Sequence, residues 1–316
     1  MMMNKQLLGK INRALEATKA NHMAPVTKDA LQKRLTEELD WADADPDHWA
    51  CIQLLNDVME KVRSAGIVTS PGYSFLTNSF LLYLTGVTRV NPVEWDLPFS
   101  RFLASFGPDH DLVLETGTGG ISMAEKVLQN RDELIIESAP GIFQITFMEG
   151  NLNGTFKLRI IEYAELDRFQ STIKDGWARL DEATLRHFGR GTTDGAISFR
   201  PEKIREWLTD FGPESMSDLV LLRALYFPGR LSLFPEILRR KLNPGEIPSA
   251  GNAAADRILR DSYGVLVYQS QAKLLEQMGF PVPEHSYPLA LKGHEVARTM
   301  LAVQAIWPRR FKTSLR

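Results

Sequence analysis

Residues 262–271 read Ser-Tyr-Gly-Val-Leu-Val-Tyr-Gln-Ser-Gln, and this stretch is the most informative part of the chain for its fold. An aromatic residue and a glycine open it, branched apolar residues fill its middle, and polar residues close it. β-Branched residues next to a glycine are typical of short strands, so the stretch predicts an extended segment at 264–268. Three other blocks of the chain carry motifs of comparable detail.

The stretch resembles the T-Y-G-[IV]-[IL]-[VL]-Y-Q-E-Q signature in the fingers of the bacterial DNA polymerase III alpha subunit, a C-family polymerase. Three more blocks resemble the same family in the same order. They are RLTEELD at 34–40, DVMEKVRSAGIVTSPGYSFLTNS at 57–79 with its continuation to Leu103, and the block at 185–231 that contains GTTDG and ALYFPG. The resemblance covers roughly residues 30 to 300.

This resemblance implies an α+β fold, with a nucleotidyltransferase-type palm followed by a mostly helical, partial fingers domain. We expect a helical extension at 1–26, a palm-like domain without a thumb at 27–165, and a partial fingers-like domain at 166–316. Hydrophobic periodicity predicts helices at 5–20, 28–41, 47–65 and 74–86. β-Branched and aromatic runs predict strands at 111–116, 133–138, 142–148 and 155–162, with a short extended piece at 194–199.

The composition narrows the class of protein. With 316 residues and 44% hydrophobic content, the chain can bury a substantial core. A formal net charge of −2 gives no global positive field, so nucleic-acid binding would need a local basic patch. The single cysteine, Cys51, lies in an apolar helical run, which predicts a buried thiol. Without a disulfide framework or a signal peptide, the sequence predicts a cytoplasmic protein that does not enter the membrane.

Nucleotidyl transfer in this family implies carboxylates on adjacent strands that hold two Mg²⁺ ions. The resemblance sets the family's P-D-x-D-x-D strand against residues 108–113, which keeps Asp109 and Asp111 and puts Val113 in place of the third carboxylate. A gap-free alignment instead places residues 112, 114 and 116 at the three acidic positions. Both alignments lose at least one carboxylate, and the sequence does not choose between them.

The second metal-binding strand of the family, K-[FM]-D-F-L-G-L, is matched by Lys157 to Tyr163. Its aspartate is Arg159 in this chain. A guanidinium stays protonated and offers no acceptor, so it repels a metal ion. Only residues 112–158 separate Asp111 from Arg159, which leaves no room for the thumb that the family places there.

Residues that hold the nucleotide in the family have changed, while turn-forming residues remain. In the phosphate loop, the family's arginine is Tyr73 and its serine is Phe75. The resemblance predicts a remnant nucleotide site made of Pro71, Gly72, Tyr73, Lys157, Arg190, Thr192, Thr193, Tyr226, Tyr268 and Gln269. We therefore predict a catalytically inactive polymerase-like protein with a binding or accessory role in DNA replication, without a bound metal or cofactor.

Two enzymatic alternatives stay open. Residual nucleotidyl transfer would use Asp109 and Asp111, with Glu115 or Glu162, and would need Mg²⁺. The stretch DLVLETGTGG at 111–120 also resembles the strand and glycine loop that bind S-adenosylmethionine in methyltransferases, with Glu137 at the position of a ribose-binding acid.

Basic residues form two clusters that could contact DNA. One comprises Arg239, Arg240 and Lys241, and the other is a tail that contains Arg309, Arg310 and Arg316. Arginine mixed with aromatic residues can stack on bases and neutralise phosphates. The expected partners are DNA, through weak and sequence-independent contacts, and replication proteins.

Overall fold

The computed structural model describes residues 5–21, 26–131, 133–147, 155–170, 180–193, 195–282 and 288–306. The chain divides into two compact units, residues 1–171 and residues 172–316. Each unit contains its own buried apolar residues, so each is described by itself.

The first unit combines six helices with one sheet. Its helices are α1 (Lys5–Asn21), α2 (Lys28–Asp43), α3 (Pro46–Ser64), α4 (Phe80–Leu84), α5 (Phe99–Leu103) and α6 (Gly120–Leu128). The three long helices predicted at its amino-terminal end are confirmed. The helix predicted at 74–86 is wrong, because extended backbone at Ser79 separates a 3-10 turn at Ser74–Asn78 from α4. The Ser79 hydroxyl accepts a hydrogen bond from the Leu82 amide and so caps α4.

Four strands form a mixed sheet in the order β1-β4-β3-β2. They are β1 (Leu112–Thr116), β2 (Leu134–Ala139), β3 (Ile142–Thr146) and β4 (Thr155–Glu162). β1 pairs with β4 in parallel, while the β3–β4 and β2–β3 pairs are antiparallel. All four predicted strands are confirmed, although the last predicted residue of β3 lies outside the described residues.

Alternation along the strands gives the sheet a core face and an outer face. Leu112, Leu114, Leu158 and Ile160 are at most 3% exposed and belong to the main hydrophobic cluster. Helices α3 and α6 pack together, and α6 covers the core face of β4. The residues of β1 and β4 that alternate with these four core residues therefore point to the opposite face of the sheet, the outer face.

A buried carboxylate connects α2 to the start of α4. Glu38 is fully buried, and it accepts hydrogen bonds from the amides of Phe80 and Leu81 and from the Ser79 hydroxyl, at 2.7 to 2.9 Å. Arg34, one turn earlier on α2, donates to Glu38 at 2.6 Å and to the carbonyl oxygens of Asn78 and Leu97. Burial raises the pKa of Glu38, and Arg34 with the two amides opposes that rise. These contacts satisfy amides at the first turn of α4 that would otherwise be orphaned.

The second unit is helical in its described residues. Its helices are α7 (Glu182–Gly189), α8 (Glu202–Phe211), α9 (Met216–Leu225), α10 (Phe234–Leu242), α11 (Ala253–Leu259), α12 (Gln269–Gln277) and α13 (Lys292–Ile306). The strand prediction at 194–199 is wrong, because Ile197–Phe199 forms a 3-10 turn. The segment predicted at 264–268 forms only an isolated bridge, between Tyr268 and Ala290. Both α+β content and a mostly helical second unit agree with the predicted fold class.

Aromatic packing and one ion pair fix the helices of this unit. Trp207 on α8 stacks on Phe234 at the start of α10, with ring centroids 4.2 Å apart. Helices α9 and α13 pack along each other, and Arg223 contacts Glu295 at 2.8 Å. His294, beside Glu295, has its pKa lowered to about 4 by burial and by the nearby guanidinium groups of Arg298 and Arg223.

Two further expectations concern single features of the chain. Cys51 is fully buried, as predicted, and burial raises the pKa of its thiol to about 12. No helix among the described residues is long and apolar enough to cross a membrane.

We expect Glu38→Ala to lower the free energy of unfolding by about 3–5 kcal/mol, because it leaves the Arg34 guanidinium and two amides buried without their acceptor. Glu37→Ala is the matched control, since Glu37 is an exposed neighbour on the same helix. Urea unfolding followed by far-ultraviolet circular dichroism measures both variants. Equal stability of the two variants would contradict the role of Glu38.

The His294 pKa predicts that stability falls with acidification. The folded-state pKa of about 4 lies below the ordinary value of about 6.5, so the unfolded chain binds a proton first as the pH drops. This contribution is complete above about pH 6.5 and is lost between there and about pH 4, by up to about 3 kcal/mol. Unfolding measured at several pH values should show a flatter profile for His294→Gln than for wild type. Substitution of the exposed His110 by glutamine should leave the profile unchanged.

Candidate functional site

The predicted metal site contains an ion pair instead of a carboxylate cluster. Asp111 lies just before β1, and Arg159 lies on β4, directly across from Val113. The Arg159 Nη2 is 2.5 Å from one Asp111 oxygen, and the Lys157 Nζ is 3.5 Å from the other. The prediction that the Arg159 strand lies beside the Asp111 strand is confirmed by the β1–β4 pairing. The result is two cations around one carboxylate on the outer face of the sheet.

The other expected carboxylates do not complete this group. Asp109 lies in an exposed turn. Among the residues that the structure describes, no group of three or more histidine, cysteine, aspartate or glutamate side chains is placed to hold a metal ion. Val113, at the position of the third carboxylate, is 8% exposed and apolar.

The sheet separates the two alignments that the sequence left open. A metal site needs its ligands on one face, and Asp111 shares the outer face with Arg159. The side chains of Leu112 and Leu114 face the core at 1% and 3% exposure. The gap-free alignment would put its acidic positions on the opposite face from Arg159, whereas the alignment through Asp109 and Asp111 puts Asp111 on the same face as Arg159.

The loop of Pro71, Gly72 and Tyr73 is closed by contacts of its own. The Ser70 hydroxyl accepts a hydrogen bond from the Gly72 amide, and the Pro71 carbonyl accepts one from the Arg89 amide at 2.6 Å. Gly72 has φ +154°, and a Cβ there would lie 2.7 Å from the Thr77 methyl group. The loop therefore needs a glycine for its own packing, and an amide that could face a phosphate is already occupied.

A small cavity of about 10 Å³ lies between this loop and β1, and Ser70, Gly72, Tyr73, Thr88 and Glu115 contribute to its lining. That volume accommodates about one water molecule. Phe75, at the position of the family's serine, is 3% exposed and packs near Phe102, with ring centroids 5.9 Å apart.

Glu162, a residue considered for residual catalysis, caps α6 instead. Its carboxylate accepts hydrogen bonds from the amides of Gly119 and Ile121, at 3.0 and 2.9 Å. Asp167 accepts from the amide and the hydroxyl of Thr118. Two carboxylates thus occupy the amino-terminal end of α6, where an anion would otherwise bind.

The methyltransferase interpretation is therefore wrong. A dinucleotide-type βα unit leaves the amides of its glycine loop open to the ligand, whereas this loop is filled by Glu162 and Asp167. In addition, β2 lies at the far edge of the sheet and not beside β1. Glu137, the expected ribose acid, accepts a hydrogen bond from the Gly141 amide within its own hairpin.

The predicted nucleotide remnant of the second unit divides into exposed and structural residues. Arg190 ends α7 with an exposed side chain, while Thr193 is 4% exposed and its carbonyl holds the turn to Ala196. Thr192 is half-buried, and its amide donates to the His187 carbonyl. Tyr226 packs edge-on against Trp207, with ring centroids 5.9 Å apart.

Tyr268 and Gln269 have different environments although they are adjacent. Tyr268 is 1% exposed, and burial raises the pKa of its phenol. Gln269 is exposed, and its amide donates to the Ala290 carbonyl. Tyr268 is therefore a core residue of the second unit, and Gln269 lies at its surface.

Gln271 holds the signature stretch together, a role that sequence reasoning missed. Its side-chain oxygen accepts from the amides of Val267 and Tyr268, and its nitrogen donates to the Ser262 hydroxyl and the Ile258 carbonyl. The side chain is 2% exposed and thus replaces backbone pairing for this extended segment. A polar residue at the end of an apolar run was the available signal.

Lys241, a residue of the predicted basic patch, is held in an ion pair within the second unit. Its ammonium lies 2.9 Å from Asp218, and the two side chains are 9% and 7% exposed. Tyr263 donates a hydrogen bond to the other Asp218 oxygen at 2.9 Å. The Lys241 nitrogen also lies 4.4 Å from the centroid of the Phe211 ring. This group joins α8, α9 and α10 to the signature stretch.

The other predicted basic residues are paired or lie elsewhere. Arg239 and Arg240 both contact Glu236, at 2.9 and 2.7 Å. Arg239 also pairs with Glu246, and Arg240 donates to the Tyr263 carbonyl. The tail residues Arg309, Arg310 and Arg316 lie outside the described residues.

Two family models match the chain in succession. Residues 9–116 match the bacterial DNA polymerase III alpha NTPase domain, and residues 171–279 match the bacterial DNA polymerase III alpha subunit finger domain. The first match covers the loop at 70–73 and β1, and the second covers the signature stretch. β4, with Lys157 and Arg159, lies between the two matches.

Curated relatives show the same likeness over shorter segments. The chain is similar to DNA polymerase III subunit alpha of Xylella fastidiosa strain Temecula1, with 34% identity over 91 residues, 29% of this chain and 8% of the relative. It is 33% identical over 91 residues to the same subunit of Borreliella burgdorferi, again 29% of this chain and 8% of the relative. For the subunit of Treponema pallidum, identity is 31% over 106 residues, 33% of this chain and 9% of the relative.

The matched segments span less than a tenth of the length of these relatives. Both matched domains nevertheless come from one subunit, and they follow each other along the chain. The mixed helical and β structure agrees with those domains. The chain therefore resembles the DNA polymerase III alpha subunit over two successive domains.

Proposed function

We propose that this protein is a catalytically inactive polymerase III alpha-like protein that acts as a binding or accessory factor in DNA replication. The observation that carries the proposal is the pairing of Asp111 with Arg159 and Lys157 on the outer face of the sheet. The resemblance assigns this position to carboxylates that bind Mg²⁺.

Electrostatics opposes metal binding at this site. A divalent ion near Asp111 would meet a guanidinium and an ammonium that already neutralise the single carboxylate. Mg²⁺ retains an octahedral oxygen shell and binds poorly without several carboxylate or phosphate oxygens. Val113 contributes no oxygen from its side chain across from Arg159.

Two other features support loss of catalysis. The loop at 70–73 uses its Gly72 amide internally, and the cavity beside it accommodates about one water molecule. Between β1 and β4, the described residues form only α6, β2 and β3, where the resemblance places a thumb. A polymerase without a thumb lacks a surface to hold a primer and template.

Residual nucleotidyl transfer is the alternative that these observations disfavour. It would require Asp109 and Asp111 to share a metal ion with Glu115 or Glu162, but Glu162 caps α6 and Glu115 is 2% exposed. DNA and replication proteins are the proposed partners, by analogy with the alpha subunits that the chain matches. A buried, non-nucleophilic Cys51 is compatible with the proposed cytoplasmic location.

Primer extension tests the proposal. We expect wild-type protein to give no template-dependent product with Mg²⁺ or Mn²⁺, at the level of an Asp109→Ala, Asp111→Ala double variant. Extension above that double variant would establish residual activity and overturn the proposal. The same preparations should unfold cooperatively, which shows that inactivity does not come from misfolding.

A charge substitution distinguishes the loss of the metal site from the loss of the DNA-holding surface. Arg159→Asp should raise Mn²⁺ affinity at least about tenfold, because it removes a repulsive cation and adds a carboxylate beside Asp111. It should still give no extended product, since the described residues between β1 and β4 form no thumb. Thr155→Asp is the control, because it adds a carboxylate to the same strand without removing a cation. Calorimetric titration with Mn²⁺ measures both variants.

DNA binding should be weak and strongly salt-dependent. Because Lys241 is paired with Asp218, and Arg239 and Arg240 are paired with glutamates, we expect the main contacts from Arg309, Arg310 and Arg316. Replacing these three arginines by glutamine should reduce the slope of log affinity against log salt by about 2–3, at about 0.9 per phosphate contact. Glutamine at the exposed Lys28, Lys33 and Lys61 is the charge-matched control. Salt-insensitive binding of labelled DNA would contradict this prediction.

A further inference from the structure

One edge of the sheet is covered and the other is open. At the β1 edge, the segment at 68–70 pairs with the strand, through the Ser70 amide to the Glu115 carbonyl and the Gly117 amide to the Val68 carbonyl. β2 lies at the other edge, and among the described residues it pairs with β3 alone. No described segment pairs with the free edge of β2, so its outward amides and carbonyls are available to another strand.

β2 also exposes large apolar side chains beside this free edge. Leu134 and Ile136 are 54% and 53% exposed, while Ile135 between them packs against the core. Both exposed residues point to the outer face, next to Thr146 and Gln144 of β3. Natural edge strands are commonly protected by lysine, proline or a covering segment, and Leu134–Ala139 contains neither residue type.

We propose that β2 pairs with β2 of a second copy of this chain, antiparallel and centred on Ile136, to form a continuous eight-stranded sheet across a two-fold axis. A two-fold interface requires a self-complementary surface. We place the hydrophobic cores of the two copies on the same side of the joined sheet. Each residue of one β2 strand must then lie opposite a residue of the other β2 strand that belongs to the same face.

The charge pattern selects the centre of this pairing. A pairing centred on Ile135 would place Glu133 opposite Glu137 of the other copy. A pairing centred on Glu137 would place the two copies of Glu137 opposite each other. Like charges that lie directly opposite each other are destabilising. Centred on Ile136, Glu137 faces Ile135 of the partner copy, and Glu133 faces Ala139. The same register places the two Ile136 side chains against each other.

This register joins the exposed apolar residues into one patch. Leu134 faces Ser138 of the other copy and lies diagonally next to its Ile136, within reach for contact. A six-residue strand pair buries less area than the ~1,200 Å² of a standard stable interface. The expected dimer is therefore weak. The net charge of only −2 gives little repulsion between copies.

Sedimentation velocity over a wide concentration range measures the association. We expect the mean mass to rise from one chain toward two chains with concentration. Ile136→Lys should weaken association at least tenfold, because it would oppose two lysines at the centre. Gln144→Lys is the matched control, since Gln144 is exposed on the same face, on the strand beside Ile136.

Disulfide trapping tests the register itself. Cα atoms of directly opposed residues in an antiparallel pair are about 4.5–5.5 Å apart, within the range for a disulfide. Ile136→Cys should cross-link with itself under mild oxidation, and mixing Leu134→Cys with Ser138→Cys copies should give the mixed dimer. Gln144→Cys should not cross-link, and Cys51 is buried. A monomer at every concentration, a dimer insensitive to Ile136→Lys, or equal trapping of Cys at 136 and 144 would each overturn the proposal.

Discussion

The buried carboxylate of Glu38 is the constraint on which the first unit depends. One carboxylate accepts hydrogen bonds from two amides, a hydroxyl and a guanidinium, and thereby connects α2 to the start of α4. Fully buried charge is costly unless every acceptor position is used, and removing one partner leaves the others without compensation. Arg34 extends the same network to the carbonyls of Asn78 and Leu97. The segment that follows the loop at 70–73 is therefore held by α2 at residues 78–81.

The outer face of the sheet uses charge in a different way. Asp111, Arg159 and Lys157 are a quarter to two-fifths exposed, and ion pairs of that kind contribute only about 0–1 kcal/mol to stability. They place a guanidinium and an ammonium beside the single carboxylate of Asp111, at a position that the resemblance assigns to a metal ion. Such a change can remove a reaction while the scaffold stays intact.

In the second unit, the residues of the signature stretch serve mainly to pack it. Gln271 satisfies the amides of Val267 and Tyr268, and Tyr263 reaches Asp218, which also holds Lys241. These contacts explain how a motif can persist when its neighbouring ligand residues change. Tyr263 occupies left-handed backbone with φ +53°, a conformation that costs energy for a residue other than glycine. The hydrogen bond to Asp218 and the packing on Phe211 offset that cost.

The sequence by itself determined the α+β class, the four strands, the three long amino-terminal helices, the burial of Cys51 and the likeness to the polymerase family. These features depend on local periodicity and on motifs that are contiguous in the chain. The tertiary structure decided the break at Ser79, the ion pair of Lys241 with Asp218, the capping of α6 by Glu162 and the position of Asp111 beside Arg159. Each of these depends on a partner distant in sequence, such as Glu38 for Ser79 or Asp218 for Lys241. A charged or polar residue looks the same in the sequence whether water or a buried partner satisfies it, so only the folded chain distinguishes the two.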